Sequence, residues 1–209
     1  MANAYECISE TWDLLRRAAE LSAKTIIFDV EPLVAPWNGS QETLDRGVRT
    51  VLDQVASAVP GLDAVCFATN SARRPSAVPA RFGLQVTYLA LAGKPFRTAP
   101  YRKLPRPGIV IGDQIPTDGI LARRLGYTFL HYCPPMADAP LGARLMQLCG
   151  RLILPSVARS QRSQGRRNLR PAGRTTRTGQ MVQSSWGSGT PRARPCACAA
   201  ARPSESPRG

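Results

Sequence analysis

Long apolar runs are missing from this sequence. No stretch approaches the roughly 18 residues needed to span a bilayer, which excludes a helical transmembrane protein. A cleavable leader is not expected either, because an acidic, Trp-bearing amphipathic segment follows Met1. Histidine occurs once, at His131 inside a strand-like run, and a lone ring there reads as satisfied structure rather than as a ligand. Acids nearly vanish after residue 155: residues 156–209 hold eleven arginines and one acid, Glu205, a net of +10 (11 − 1). Large apolar residues thin out over the same stretch, so it cannot offset the entropy of ordering and is expected to be a disordered tail. Its arginines are dispersed and Trp186 is its one aromatic, which argues against a specific nucleic-acid arm and leaves weak association with anionic surfaces. Cys196-Ala-Cys198 has neither zinc-ligand spacing nor partner ligands.

What remains is an ordinary domain over residues 1–155. The 209 residues carry 28 Lys+Arg against 14 Asp+Glu, a net of +14, of which residues 1–155 hold +4 (17 − 13). Cysteines stand at 7, 66, 133, 149, 196 and 198. Cys66, Cys133 and Cys149 lie in apolar company, as buried free thiols do, and a soluble, reduced, cytoplasmic protein is expected. Apolar spacing predicts helices over 9–22, 41–58, 117–125 and 140–154, and strands over 25–28, 64–68, 85–91, 108–111 and 127–132. In the first helix Trp12, Leu15 and Ala19 share the expected apolar stripe, flanked by Leu14, Ala18 and Leu21, and Trp12 and Trp37 read as packing residues. Residues 72–82 contain two prolines and predict a short helix or turn, while Pro100, Pro105 and Pro107 leave room for little more than a helical turn before the fourth strand. Strands alternating with helices, without an internal repeat, imply an α/β fold: a doubly wound, Rossmann-like parallel sheet of about five strands.

Four of the expected strands end in groups suited to phosphate chemistry. Lys24-Thr-Ile-Ile-Phe-Asp29-Val-Glu31-Pro delivers two carboxylates, two residues apart, to the carboxyl end of a buried strand. In open α/β sheets that end borders the ligand crevice. Asp29 is a candidate nucleophile, able to form an aspartyl-phosphate, and Glu31 a candidate acid/base for the leaving oxygen and then for water. Thr69 offers a hydroxyl and Asn70 a backbone N–H to a phosphoryl oxygen, after the second strand. Lys94, after the third, is a point charge able to offset nucleophile and phosphoryl group together. Asp113, after the fourth, is a hard oxygen ligand for Mg²⁺ beside Asp29 and a loop carbonyl, and Asp118 either orients it or caps the following helix.

The ordered set Phe-Asp-Val-Glu, Ala-Thr-Asn-Ser, Gly-Lys-Pro-Phe and Ile-Gly-Asp-Gln-Ile-Pro-Thr-Asp resembles the four motifs of haloacid dehalogenase (HAD) superfamily phosphatases. It is most similar to the subclass IIIA group that includes YqeG and phosphatidylglycerophosphate phosphatases, over roughly residues 8–150. That resemblance implies Asp29 as nucleophile, Glu31 as acid/base, Thr69 and Lys94 as phosphate binders, and Asp113 and Asp118 as acids of a Mg²⁺ site to which position 31 gives its backbone carbonyl. It also implies a member without a sizeable cap, since only 39 residues (30–68) separate Asp29 from Thr69 and 24 (70–93) separate Thr69 from Lys94. An open site of this kind suits a phosphorylated small molecule or a bulky phosphate such as a lipid, and cap-free members often complete their sites as homo-oligomers. The chain departs from the family pattern at Glu31, where the family has Asp, and at Leu33, where it has Thr.

Three functional readings follow from these residues. The first is a Mg²⁺-dependent phosphomonoesterase. A second is a catalytically impaired HAD-like domain that binds a phosphorylated ligand or protein partner without turnover, which the longer Glu31 side chain motivates, because a misplacement near 1 Å costs about 100-fold in rate. A third is a nucleic-acid-associated protein acting through its arginine-rich tail.

Overall fold

The computed structural model describes residues 7–81, 83–133, 140–142, 144–146 and 148–150. The expected tail over 156–209, with its Cys-Ala-Cys, lies outside the described residues, as does the end of the helix expected over 140–154. In chain order the elements are β1 (Cys7–Ile8), α1 (Thr11–Glu20), β2 (Thr25–Asp29), α2 (Gln41–Ala58), β3 (Ala64–Ala68), β4 (Gln85–Leu89), β5 (Gly108–Gly112), α3 (Ile120–Leu125) and β6 (Thr128–Tyr132). A single 3₁₀ turn, Ala99–Tyr101, precedes β5, and a π turn, Ile115–Gly119, runs directly into α3. None of the described helices is long and apolar enough to cross a membrane.

Six strands form one sheet in the order β1-β6-β5-β2-β3-β4, and every pairing is parallel. The sixth strand is the two-residue β1, too short to leave a period-two pattern in the sequence. β2, β3 and β5 are buried along their whole length, as strands covered on both faces must be. Side chains alternate between faces. Ile26, Phe28, Val65, Phe67, Ile109 and Ile111 pack toward α1 and α2. Ile27, Cys66, Ala68 and Val110 pack toward α3 and Tyr101. The expected doubly wound layering is therefore present.

α2 follows the sequence closely. Ser40 caps it by accepting the Thr43 N–H at 3.2 Å, and Leu44, Val48, Val51, Leu52 and Val55 form its buried stripe. Gly47 lets the backbone of this helix close on the Val34 carbonyl, where a methyl group would collide. α1 differs from expectation. Its buried residues are Leu14, Leu15 and Ala18, and Trp12 is 53% exposed. At about 100° per residue, Trp12 lies roughly a third of a turn from the centre of that arc. Residues 72–81 contain no helix, since Pro75 and Pro79 break the ladder and leave bends and extended chain.

The cysteines also require correction. Cys7 and Cys133 are joined in a disulfide with Cα atoms 5.8 Å apart, tying β1 to the end of β6. Cys133 is therefore no free thiol, and the 126-residue separation of the pair hid it from sequence reading. Cys66 is free and buried as expected, whereas Cys149 is free but exposed.

Chain direction puts the candidate residues together. After β4 the chain crosses to the other side of β2 to form β5, so strand order reverses between β2 and β5. The crevice beyond the carboxyl ends of these two strands is the usual ligand site of such sheets. Asp29 ends β2 and Asp113 follows Gly112, the last residue of β5.

Candidate active site

A charged centre occupies that switch point. Lys94 Nζ lies 2.8 Å from Asp29 Oδ1 and 2.8 Å from Asp118 Oδ1. Asp29, Asp113 and Asp118 each present a carboxylate oxygen within 4.8 Å of the others, and all three are buried. Such a set of hard oxygens suits a divalent cation of the Mg²⁺ class. The backbone builds it from separate pieces. Asn70 clasps residue 94 twice, accepting the Lys94 N–H at 2.8 Å and donating its amide to the Lys94 carbonyl at 3.0 Å. Gly112 gives the Asp118 carboxylate room, because a methyl group there would overlap it. Gln114 N–H donates to Asp118 Oδ2 at 3.3 Å, which fixes the acid inside the π turn. Asp118 is thus not a helix cap.

Burial decides the electrostatics. For Asp29, burial first and the Asp118 charge second hold the carboxyl well above the usual carboxylate range, and Lys94 offsets only part of this. Burial alone would lower the Lys94 pKa, but Asp118 and Asp29 outweigh it and raise the ammonium above the ordinary lysine value. The centre therefore holds three acids against one cation, and added positive charge would relieve it. Beneath Lys94, burial pushes the Cys66 thiol up to about 12.

Glu31 belongs to a second cluster beside the first. Its carboxylate accepts the Thr69 hydroxyl at 2.6 Å, the Ser71 hydroxyl at 3.3 Å and the Arg73 guanidinium at 3.2 Å. Both Glu31 oxygens are engaged there, outside the three-acid group, which leaves its main-chain carbonyl for the cation role that the family resemblance implies. Thr69 in turn accepts the Ser71 N–H at 2.9 Å. Arg73 reaches further, donating to the carbonyls of Pro36 at 3.0 Å, Trp37 at 3.3 Å and Gly39 at 2.8 Å. It stitches the loop after β2 to the loop after β3.

A cleft of about 220 Å³ opens between the two clusters, walled by Asp29, Glu31, Thr69, Lys94 and Arg73, with Trp37 beside them. Asp113 and Asp118 lie behind this wall, 1% and 0% exposed. All the residues anticipated from sequence converge on one rim of the sheet. Arg73 and Ser71 were missed, because their loop has no periodicity to orient it and an arginine in such a loop looks like solvated surface. His131 Nε2 lies 3.0 Å from the Asp113 carbonyl, and burial lowers the His131 pKa against that hydrogen bond.

In comparisons with known proteins, no family model, curated protein or solved structure matches this chain.

Proposed function

We propose that this chain is a Mg²⁺-dependent phosphomonoesterase of the haloacid dehalogenase type, with Asp29 as its nucleophile. The observation that carries this reading is the Lys94 ammonium 2.8 Å from both Asp29 and Asp118, with Asp113 in the same acid cluster, at the switch point of a parallel sheet. Asp29, Asp113, Asp118 and the Glu31 carbonyl would hold Mg²⁺, which when bound supplies charge neutralisation for phosphoryl oxygens.

The chain's own residues carry the remaining steps. With a phosphomonoester in the cleft, an Asp29 carboxylate oxygen attacks phosphorus while the bond from phosphorus to the leaving oxygen breaks. Protonated Glu31 gives its proton to that oxygen, releasing an alcohol and leaving an aspartyl-phosphate. Glu31 then takes a proton from water as the water oxygen attacks phosphorus, which returns Asp29 and inorganic phosphate. Lys94 offsets part of the burial that raises the Asp29 carboxyl, and it offsets the transferring group. Arg73, Ser71 and Thr69 set the position of Glu31. The short cap-free intervals and the open cleft favour a bulky substrate, with phosphatidylglycerophosphate or a comparable phosphomonoester as the class to try first, and self-association is the route by which an uncapped rim would be closed.

Trapping tests the covalent step. Protein turned over on an aryl phosphate with Mg²⁺, quenched in acid and reduced with borohydride, should carry homoserine at position 29. Turnover with no conversion there, or conversion at another carboxylate, would refute the assignment.

The engagement of both Glu31 oxygens by Thr69, Ser71 and Arg73 favours a second reading, in which the site binds a phosphorylated ligand or partner without hydrolysing it. The double variant Glu31→Asp with Leu33→Thr separates the two. A gain of about 100-fold in hydrolysis, the size of a 1 Å placement error, identifies an impaired catalyst; an unchanged rate identifies the first reading's working enzyme if the parent is active, and a binding domain if it is not.

A further inference from the structure

A second cluster of ligating side chains sits at the β1–β6 edge of the sheet. β1 pairs with β6 so that Cys7 faces His131 in register. Cys133 lies two residues past His131, so all three side chains share one face of the sheet. Their ligand atoms, two sulfurs and a ring nitrogen, lie within 4.8 Å of one another. His131 Nδ1 is 3.4 Å from Cys133 Sγ, while Nε2 is 3.0 Å from the Asp113 carbonyl. A carbonyl oxygen can only accept, so Nε2 carries the hydrogen and Nδ1 presents its lone pair toward sulfur. A histidine that donates one N–H to a backbone carbonyl and turns its other nitrogen to a pair of cysteines has the arrangement of a metal ligand with its outer hydrogen bond already made.

We propose that the reduced protein binds one Zn²⁺-class ion through Cys7 Sγ, Cys133 Sγ and His131 Nδ1, with water as fourth ligand, so that the disulfide and the metal centre are alternative states of one site. Thiolate and imidazole select Zn²⁺ or Cu⁺ over Mg²⁺. Zn–S near 2.3 Å and Zn–N near 2.1 Å put tetrahedral ligands about 3.5–3.8 Å apart; His131 Nδ1 is already 3.4 Å from Cys133 Sγ, and reduction of the disulfide frees the two sulfurs to separate to that spacing. Cys7 is exposed and His131 and Cys133 are half-buried, which gives the ion a way in and leaves a coordination position for water. Conversion between the states is balanced by a two-electron reductant. A phosphine cleaves the S–S bond, takes up an oxygen from water and becomes a phosphine oxide, leaving two thiols; the incoming cation then displaces the two thiol protons. The cluster shares no ligand with the three-acid centre and touches it at the hydrogen bond from His131 to the Asp113 carbonyl.

Cobalt reads the site directly. The full chain, with Cys196→Ser and Cys198→Ser to silence the tail thiols, is reduced with a phosphine under anaerobic conditions and titrated with Co²⁺. One equivalent should bind with a thiolate-to-cobalt charge-transfer band and the visible d–d bands of tetrahedral cobalt, and Zn²⁺ should displace it. The oxidised protein should show neither. Adding Cys7→Ser, a change on an exposed two-residue edge strand, should weaken binding at least tenfold, and so should His131→Gln. Native mass spectrometry of reduced and oxidised protein, which needs no change at the site, should find one zinc in the reduced form only. The proposal is overturned by a reduced protein without thiolate–cobalt bands or bound zinc, or by bands that persist at full affinity after Cys7→Ser.

Discussion

Replacing Lys94 with methionine removes the one ammonium that lies between two buried carboxylates, at 2.8 Å from each. The side chain is of similar length and apolar, so the change is chiefly electrostatic. Breaking a buried ion pair by deleting one partner costs about 3–5 kcal/mol, because the remaining charge is left uncompensated. That is a large part of the ~5–15 kcal/mol that holds a domain of this kind folded. The cost has a definite pH dependence. Burial and Asp118 already hold the folded-state pKa of Asp29 above its unfolded value. A carboxyl shifted upward contributes stability that is complete below the unfolded pKa and is lost as pH rises through the folded one. Without Lys94 the folded value moves higher still, so the loss in the variant should be larger at pH 8 than at pH 5. A divalent cation should substitute for the missing charge, adding about 2.7 kcal/mol at 100 times its Kd. Urea denaturation of wild type and Lys94→Met at both pH values, with and without Mg²⁺, measures all three effects. A penalty below about 1 kcal/mol, or one equal at the two pH values, would refute the reading of a charge-strained acid cluster.

Other perturbations reach the site from different sides. Gly112→Ala should push the Asp118 carboxylate off Lys94 and Gln114 and lower Mg²⁺ affinity by about tenfold or more, as outer contacts of a metal site do; calorimetric titration with Mg²⁺ checks it, and unchanged affinity would separate Asp118 from the cation. Arg73→Ala should release Glu31 and three loop carbonyls together, costing about 1–3 kcal/mol in urea denaturation for the unsatisfied groups; a smaller loss would leave Arg73 as surface. With its thiol pushed up to about 12 by burial, Cys66 should be only about 10⁻⁴ thiolate at pH 8, so iodoacetamide should label exposed Cys149 and spare Cys66 in the native protein. Comparable labelling of both would contradict the buried floor beneath Lys94.

The legible parts of this molecule were those with a period. α2 was readable to the residue, because a five-member apolar stripe and a Pro-Gly stop agree with one another. The buried central strands were readable because parallel strands are continuous apolar runs. The charged ends of β2, β3, β4 and β5 followed from topology, since parallel strands must bring their carboxyl ends to one rim. What stayed hidden depended on distance or on loops. β1 is two residues long, and its disulfide partner lies 126 positions away. Arg73 acts from a segment whose prolines leave no regular ladder, so nothing in the sequence pointed its guanidinium at Glu31. Trp12 was placed at the centre of its stripe with Leu15 and Ala19, whereas the flanking Leu14 and Ala18 join Leu15 in the buried arc. Asp118 was anticipated as a site acid or a helix cap, and the π turn, which carries it to Lys94, is what the sequence did not show.

Phosphoryl transfer at Asp29 is tested most directly by initial rates on an aryl phosphate, measured side by side for wild type and Asp29→Asn with saturating Mg²⁺ and with chelator. Hydrolysis that requires Mg²⁺ and falls by about 10³-fold or more in the variant is the expected result, since each 1.36 kcal/mol of lost transition-state stabilisation is tenfold and the nucleophile itself is gone. Equal rates for the two proteins would contradict it.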